Sequence, residues 1–377
     1  MPVYIHSSVS HSACGNSYVE PQLTFSTQAN TQLTFTTGVE EQAQIASFFA
    51  MDKLPLNNTE ARLFTSLSTV VAQLIKTSGL TPQQLSQTAL MLGSTSLDIG
   101  TLSPDTDKAL GLPKIDRLSE YLQQKFSLHP YHLVINTACT ASLNAVLYAK
   151  KLLQSTDIKQ VIVIGCEFYN QLTTSGFHSL DLLSSEQLLA FHQERQGLIL
   201  GEGIGALLLS NSQPKDKACY RVLEGDSACD TSSLTMTAED GSHIHKVMSQ
   251  AVKESGLRAS NIDLIKVHGT ATYNNDISEY HALKSYFNDP PPIMALKPFI
   301  GHTLGACGVI ELALMDYLLS QQSIPVADYV TSQPHVIMLP FAPLDKAISQ
   351  YQYLLVNHSG FGGNNAALVL ETIQACN

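Results

Sequence analysis

Residues 133–149 read LVINTACTASLNAVLYA: a short apolar run, then small residues, then a segment whose apolar positions recur at helical spacing. A run apolar on both faces fits a buried strand in a sheet covered by helices. Small residues at the junction let the helix lie close to that sheet. The idea recurs at 292–319, PIMALKPFIGHTLGACGVIELALMDYLL, where another short apolar run passes through a polar turn into a helix opening with Gly and Ala. Further strand-like runs are TALMLGST (88–95), QVIVIGCE (160–167), GALLLS (205–210), LIKVHG (264–269), YLLVNHS (353–359) and AALVLE (366–371). Helical patterns lie between them, including EARLFTSLSTVVAQLIKTSGL from Glu60 and PQQL behind the N-cap candidate Thr81. The expected class is α/β with largely parallel strands, in two halves that share one core. QPKDKACY at 213–220 is the best division between them.

Composition narrows the function. The 377 residues are 44% hydrophobic and only 14% charged, against about 25% charged in an average domain, which excludes disorder as the main state. A net charge of −11 excludes a broad basic footprint for nucleic acid or anionic lipid. The N-terminus MPVYIHSSVSHSAC has no cationic start followed by an apolar stretch, and no run approaches a membrane span. The expectation is a cytoplasmic protein without a span. Seven scattered cysteines, none in a C-x-x-C pair, suggest neither a zinc site nor a disulfide framework.

Four places can carry chemistry. Cys139 sits where a strand turns into a helix, and a helix N-terminus favours thiolate; a small buried hydrophobe is the alternative. His268 ends an apolar strand in VHGTATYNNDISE, with Asp276 and Glu279 downstream. It is either a cleft residue at a sheet's carboxyl edge or a satisfied core histidine. His302 precedes the second Gly/Ala helix start, with Lys297 five residues earlier, and that lysine is alternatively a solvated charge. NHSGFGGNN (357–365) either aims main-chain N–H groups into a site or is a plain hairpin turn. There is no phosphate-loop pattern, and the one close pair, His243-x-His245, lacks a third metal ligand and reads as a solvated loop.

Together, in order, TACTAS, FHQERQGLILGEGIGALLL, KVHGTATYNNDISE, LKPFIGHTLGACG and SGFGGNN resemble the β-ketoacyl-acyl carrier protein synthases, elongating condensing enzymes of the thiolase superfamily. The likeness covers roughly the last two-thirds of the chain. It implies a thiolase-like fold of two pseudo-symmetric halves, each with a mixed or parallel sheet, in five α-β-α-β-α layers. Residues 1–215 would carry the nucleophile and 216–377 both catalytic histidines, as a single compact unit. It also implies that Cys139 accepts the acyl group, that His268 and His302 complete a Cys-His-His triad supported by Lys297, and that Glu279 pairs with Lys297. Asp276 and Glu279 would be structural. The oxyanion donors would be the N–H groups of Cys139 and Phe361, in a gate loop with Gly360 and Gly362. Thr270 and Thr272 would contact the pantetheine arm.

The implied reaction is acyl transfer to Cys139 followed by decarboxylative condensation with a malonyl thioester, both imidazoles facing the enolate oxygen. It needs no cofactor or metal. An acyl carrier protein would be the partner, docking near Lys53, Arg62 and Arg117, with the enzyme a homodimer or a heterodimer with a second ketosynthase-like subunit. QVIVIGCEF resembles the strand that pairs across the family's two-fold axis. The pathway would be fatty acid or type II polyketide synthesis, including aryl polyenes. The N-terminus YIHSSVSHSACGNS keeps only the outline of the family pattern, the stretch between Ser96 and Tyr131 is abbreviated, and Asn364 stands where Thr is usual. These departures sustain an alternative, a chain-length-factor-like subunit that shapes a partner's tunnel.

Overall fold

The computed structural model describes residues 1–20, 22–35, 43–52, 59–99, 115–230 and 237–375. Its strands are β1 (Tyr4–Ser12), β2 (Gly15–Asn16), β3 (Thr31–Phe35), β4 (Gln44–Phe49), β5 (Thr88–Gly93), β6 (His132–Ile135), β7 (Gln160–Glu167), β8 (Leu200–Gly201), β9 (Gly203–Ser210), β10 (Cys219–Cys229), β11 (Leu264–Lys266), β12 (Ile293–Met294), β13 (Tyr353–Gly360) and β14 (Asn364–Ile373).

Ten of these follow one path, β12-β11-β13-β14-β10-β1-β9-β7-β5-β6. The path is a duplication. In the first half β6, β5 and β7 run parallel, β9 is antiparallel to β7, and β1 is antiparallel to β9. In the second half β12, β11 and β13 run parallel, β14 is antiparallel to β13, and β10 is antiparallel to β14. The halves meet through the pairing of Tyr4 with Arg221, and one pattern gives way to the other between Ser210 and Cys219. Each half is thus mixed but largely parallel, four strands pointing one way while β9 in the first half and β14 in the second run against them. β10, reading CYRVLEGDSAC, is half polar and carries no apolar run to announce it.

Apolar side chains stack the layers. The helix Glu60–Ser78 packs on β1 and β9 from outside, with Leu63, Leu67, Val70, Val71 and Leu74 buried. Thr59 caps it by accepting from the Arg62 N–H, and Thr81 and Gln84 form a reciprocal capping box on the next short helix. Between the two half-sheets lie the helices Ala141–Ser155 and Cys307–Gln321, which share the largest apolar cluster. They cross where Gly308 leaves no room for a side chain, since a Cβ there would lie 2.5 Å from the Leu143 nitrogen. Beyond the second half-sheet, Ser242–Glu254 and Tyr273–Phe287 close the stack. The five expected layers are all present.

Two sequence expectations change. Leu304–Gln321 does reach the length and apolar composition of a membrane span, yet most of it is buried inside the protein, as a core helix. β7 is hydrogen-bonded on both sides, to β5 and β9, so it has no free edge for a partner. Among the described residues, the edge of the sheet on this side is β6, whose His132, Leu133 and Val134 are only half-buried. A small sheet, β3-β4-β8, lies apart from the main one and brings Leu33, Phe35 and Phe48 into an apolar cluster with Cys139.

Candidate active site

β6 ends in a turn that the chain pays to hold: Ala138 has φ +50°, a left-handed conformation uncommon for a residue with a Cβ. Thr140 Oγ1 donates to the Thr137 carbonyl at 2.7 Å and Asn144 Nδ2 donates to Thr137 Oγ1 at 2.8 Å, bracing the turn from the helix it opens. Cys139 stands at its tip, 5% exposed. The second-half counterpart runs from β12 through Lys297–Ile300 to His302, whose N–H donates to the Ile199 carbonyl at 2.7 Å. His302 Nε2 and Cys139 Sγ are 3.2 Å apart.

His268 follows β11, held by its turn. Glu279 accepts from the His268 N–H at 2.7 Å and the Gly269 N–H at 2.9 Å, while Asn357 Nδ2 donates to it at 2.6 Å. Asp276 accepts from the Phe191 N–H at 2.7 Å and the Ala271 N–H at 3.2 Å. Both acids therefore grip main chain. Glu279 does not pair with Lys297 as expected: Lys297 Nζ donates to Glu311 at 2.9 Å and to His268 Nδ1 at 3.3 Å. An ammonium only donates, so Nδ1 of His268 accepts and its proton sits on Nε2. The rings of His268 and His302 stand edge to face, centroids 5.3 Å apart.

β13 and β14 form a hairpin, and its turn Phe361–Gly363 does reach the site, so the two readings of NHSGFGGNN hold at once. Gly363 is required there, because with φ +75° its missing Cβ would fall 1.7 Å from the Asp230 carbonyl oxygen. The N–H groups of Phe361 and of Cys139 itself serve Cys139 Sγ. The Phe361 ring stacks on Phe177, centroids 5.2 Å apart. Gly360 packs its α-carbon side against the Cys139 backbone, and Gly362 has φ +74°.

A cavity of about 360 Å³ opens on Cys139, His268, His302 and Phe361, with Thr270 and Thr272 on its wall. Those two hydroxyls are 2.9 Å apart. The docking candidates fare differently. Arg62 is spent on Glu202 at 2.7 Å and Asp52 at 3.1 Å, with only 15% of its side chain exposed. Arg117 pairs with Glu60 and with Asp98. Lys53 lies outside the described residues. His243 and His245 are on the helix Ser242–Glu254 rather than a loop, and turn to Asp230 and Ser285.

Electrostatics correct one expectation. Burial pushes the Cys139 thiol up to about 11, and the Phe361 N–H and the Lys297 charge only partly offset it. Desolvation outweighs the helix terminus, so the resting group is a thiol. Burial, reinforced by Lys297, holds both His268 and His302 well below the usual histidine range, so both are neutral. Behind them Lys266 and Lys297 share the one carboxylate of Glu311. Burial disfavours both charges; Lys266, with Lys297 against it, ends below the usual lysine value, while Glu311 and Cys307 bring Lys297 above it. Sequence reasoning missed Glu311, Lys266, His358 and Cys307. The signal for the first two was a lone charge inside an apolar run, in GVIELAL and LIKVHG.

Comparison with known proteins points one way. The model for the β-ketoacyl synthase N-terminal domain matches residues 21–215, and that for the C-terminal domain matches 221–328. The chain is 28% identical over 257 residues to 3-oxoacyl-[acyl-carrier-protein] synthase 2 of Rhizobium meliloti, covering 64% of this chain. It is 29% identical over 252 residues to the protein of the same name from Synechocystis, covering 63% of this chain. In each case the chain spans 61% of the relative's length. Among solved structures, the ketosynthase ApeO in complex with its chain length factor ApeC from Xenorhabdus doucetiae aligns with TM-score 0.78 at 22% identity, over 99% of this chain and 98% of that one. The complex AntDE:AntF, a type II PKS acyl-carrier protein with its ketosynthase, aligns with TM-score 0.80 at 18% identity over 99% of both chains.

Proposed function

The chain belongs to the β-ketoacyl synthase family, and from that premise we propose that it is a condensing acyltransferase, a β-ketoacyl-acyl carrier protein synthase. The observation that carries this reading is the meeting of Cys139 Sγ with His302 Nε2 at 3.2 Å, beneath the Phe361 N–H and at the floor of the cavity.

In the first stage the Cys139 sulfur attacks the thioester carbonyl of an acyl group on a pantetheine arm. The thiol proton passes to His302 and on to the departing carrier thiol, and the oxyanion is met by the N–H groups of Cys139 and Phe361. Losing one such donor costs roughly a hundredfold in rate. In the second stage a malonyl thioester loses carbon dioxide. The Nε2–H of His268, with His302 beside it, donates to the developing enolate oxygen, and the carbanion carbon attacks the acyl-cysteine to form the new carbon–carbon bond and expel the sulfur as thiolate, which takes one proton from solvent to return to the resting thiol. Neutral imidazoles suit that task, because the hydrogen-bonded oxygen gains charge without a proton being given away early. Every atom is accounted for without a metal or redox cofactor.

The partner we propose is an acyl carrier protein, with Thr270 and Thr272 contacting the arm and Arg117 at the rim. A second subunit of the same fold, identical or not, would pair along the open edge of β6. Intact mass after incubation with acyl-carrier protein tests the reading, with Cys139→Ala as control, followed by malonyl-carrier protein. An acyl adduct on Cys139, consumed with carbon–carbon bond formation, supports a synthase of fatty acid or polyketide type. No adduct, even with a co-purified partner subunit, overturns it in favour of the tunnel-shaping role.

A further inference from the structure

Behind the two histidines lies a second chain of polar groups that the condensation steps leave unused. Lys266, Cys307 and His358 are fully buried. Lys266 Nζ lies 2.7 Å from His358 Nε2, His358 Nδ1 lies 3.2 Å from Cys307 Sγ, and Cys307 Sγ lies 3.1 Å from the main-chain oxygen of Cys139. Donor and acceptor inventory fixes every proton. The lysine donates, so His358 Nε2 accepts and the neutral ring carries its hydrogen on Nδ1. That N–H donates to the Cys307 sulfur, which leaves the Cys307 S–H to donate to the Cys139 carbonyl. Glu311, bonded to both Lys266 and Lys297, ties this chain to the one that orients His268.

A metal does not fit here, although the ligand atoms of His268, Cys307 and His358 lie within 4.8 Å of one another. Each of the two rings turns one nitrogen to an ammonium group, the other nitrogen of His358 is engaged by the Cys307 sulfur, and the positive charge of Lys266 and Lys297 opposes a cation. The cluster is built for hydrogen bonds.

We propose that Lys266, His358 and Cys307 are positioning residues, a relay that clamps the Cys139 carbonyl and thereby fixes the backbone of the residue that bears the nucleophile and, one peptide earlier, its own oxyanion N–H. The turn needs such a clamp because it is held at the positive φ of Ala138, and the clamp reaches it from the opposite half of the molecule. This inference rests on the reading of Cys139 as acyl acceptor.

The test compares Cys307→Ala, which removes the donor, with Cys307→Ser, whose hydroxyl donates to the same oxygen. Single-turnover acylation of Cys139 by acyl-carrier protein, followed by intact mass, is the readout. The expected result is a roughly tenfold loss of rate in the alanine variant, within what one hydrogen bond is worth, with half-saturation unchanged and the serine variant restored to about twofold of wild type. His358→Gln provides a second route: its amide oxygen still accepts from Lys266 but the N–H toward Cys307 is gone, and a loss of about two- to tenfold is expected. Equal rates in all variants, or equal losses in Ala and Ser, overturn the relay. Wild type sets the baseline: no adduct there defeats the acyltransferase reading, whereas an adduct there with unaffected variants defeats only the relay.

Discussion

The two strand-turn-helix units that build the site start from one plan and end in opposite chemistry. In the first half, β6 leads to Cys139 and the helix Ala141–Ser155, with small and apolar neighbours and a single reactive atom at the tip. In the second half, β12 leads to Lys297, His302 and the helix Cys307–Gln321, which buries a charged cluster beneath the same kind of tip. The same strand order surrounds both. Two turns therefore face each other across one core, and their side chains differ in kind: one presents a buried thiol, the other a histidine and a lysine backed by buried charge.

That division can be broken from either side. Cys139→Ala should abolish acyl transfer altogether, with no adduct by intact mass and an unchanged fold by circular dichroism, since a buried methyl replaces a buried thiol. Glu311→Gln strikes the other half and should act on stability first. It leaves two buried ammonium groups with no carboxylate bonded to them, and removing one partner of a buried pair costs about 3–5 kcal/mol. Thermal unfolding should show a drop of several degrees or more; a variant as stable as wild type would mean that the lysines are not both charged.

Dependence on pH sharpens the comparison. Both histidines have lowered values and must stay neutral, so condensation should hold as pH falls through 6.5 and fail only well below it. Cys139 is raised to about 11, so its alkylation by iodoacetamide should climb steadily with pH across the neutral range instead of levelling near 7. A plateau near neutrality would show that the helix terminus outweighs burial after all. The smallest effect is expected at the cavity wall: Thr270→Val should raise KM for the acyl-carrier substrate by about two- to fivefold through one lost hydrogen bond and leave kcat alone.

Much of this was readable from local strings. The runs QVIVIGCE, LIKVHG and YLLVNHS became β7, β11 and β13 because a strand buried on both faces has little choice but to be apolar throughout, and LVINTA became the half-buried edge strand β6. The positions of Cys139, His268, Lys297, His302 and Phe361 followed from the motifs that carry them. Three things stayed hidden for physical reasons. β10 alternates polar and apolar residues near the junction of the halves and resembles a loop. The partner of Lys297 is Glu311 rather than Glu279, and no spacing rule connects a lysine in one turn with an acid inside the following helix. The net effect on Cys139 is a contest between a helix terminus and desolvation, and burial is known only once the layers are stacked. The same limit applies to the edge of the sheet, because β6 and β7 look alike as strings and differ only in their neighbours.

The hairpin of β13 and β14 carries a temporal consequence. Cys139 is made long before Phe361, whose N–H faces it, and the turn that carries that N–H is held by β13 and by β14, which pairs in turn with β10. A nascent chain that has only its first half therefore holds the Cys139 thiol without His268, His302 or the Phe361 N–H beside it. The site is complete only once β14 has closed on its neighbours.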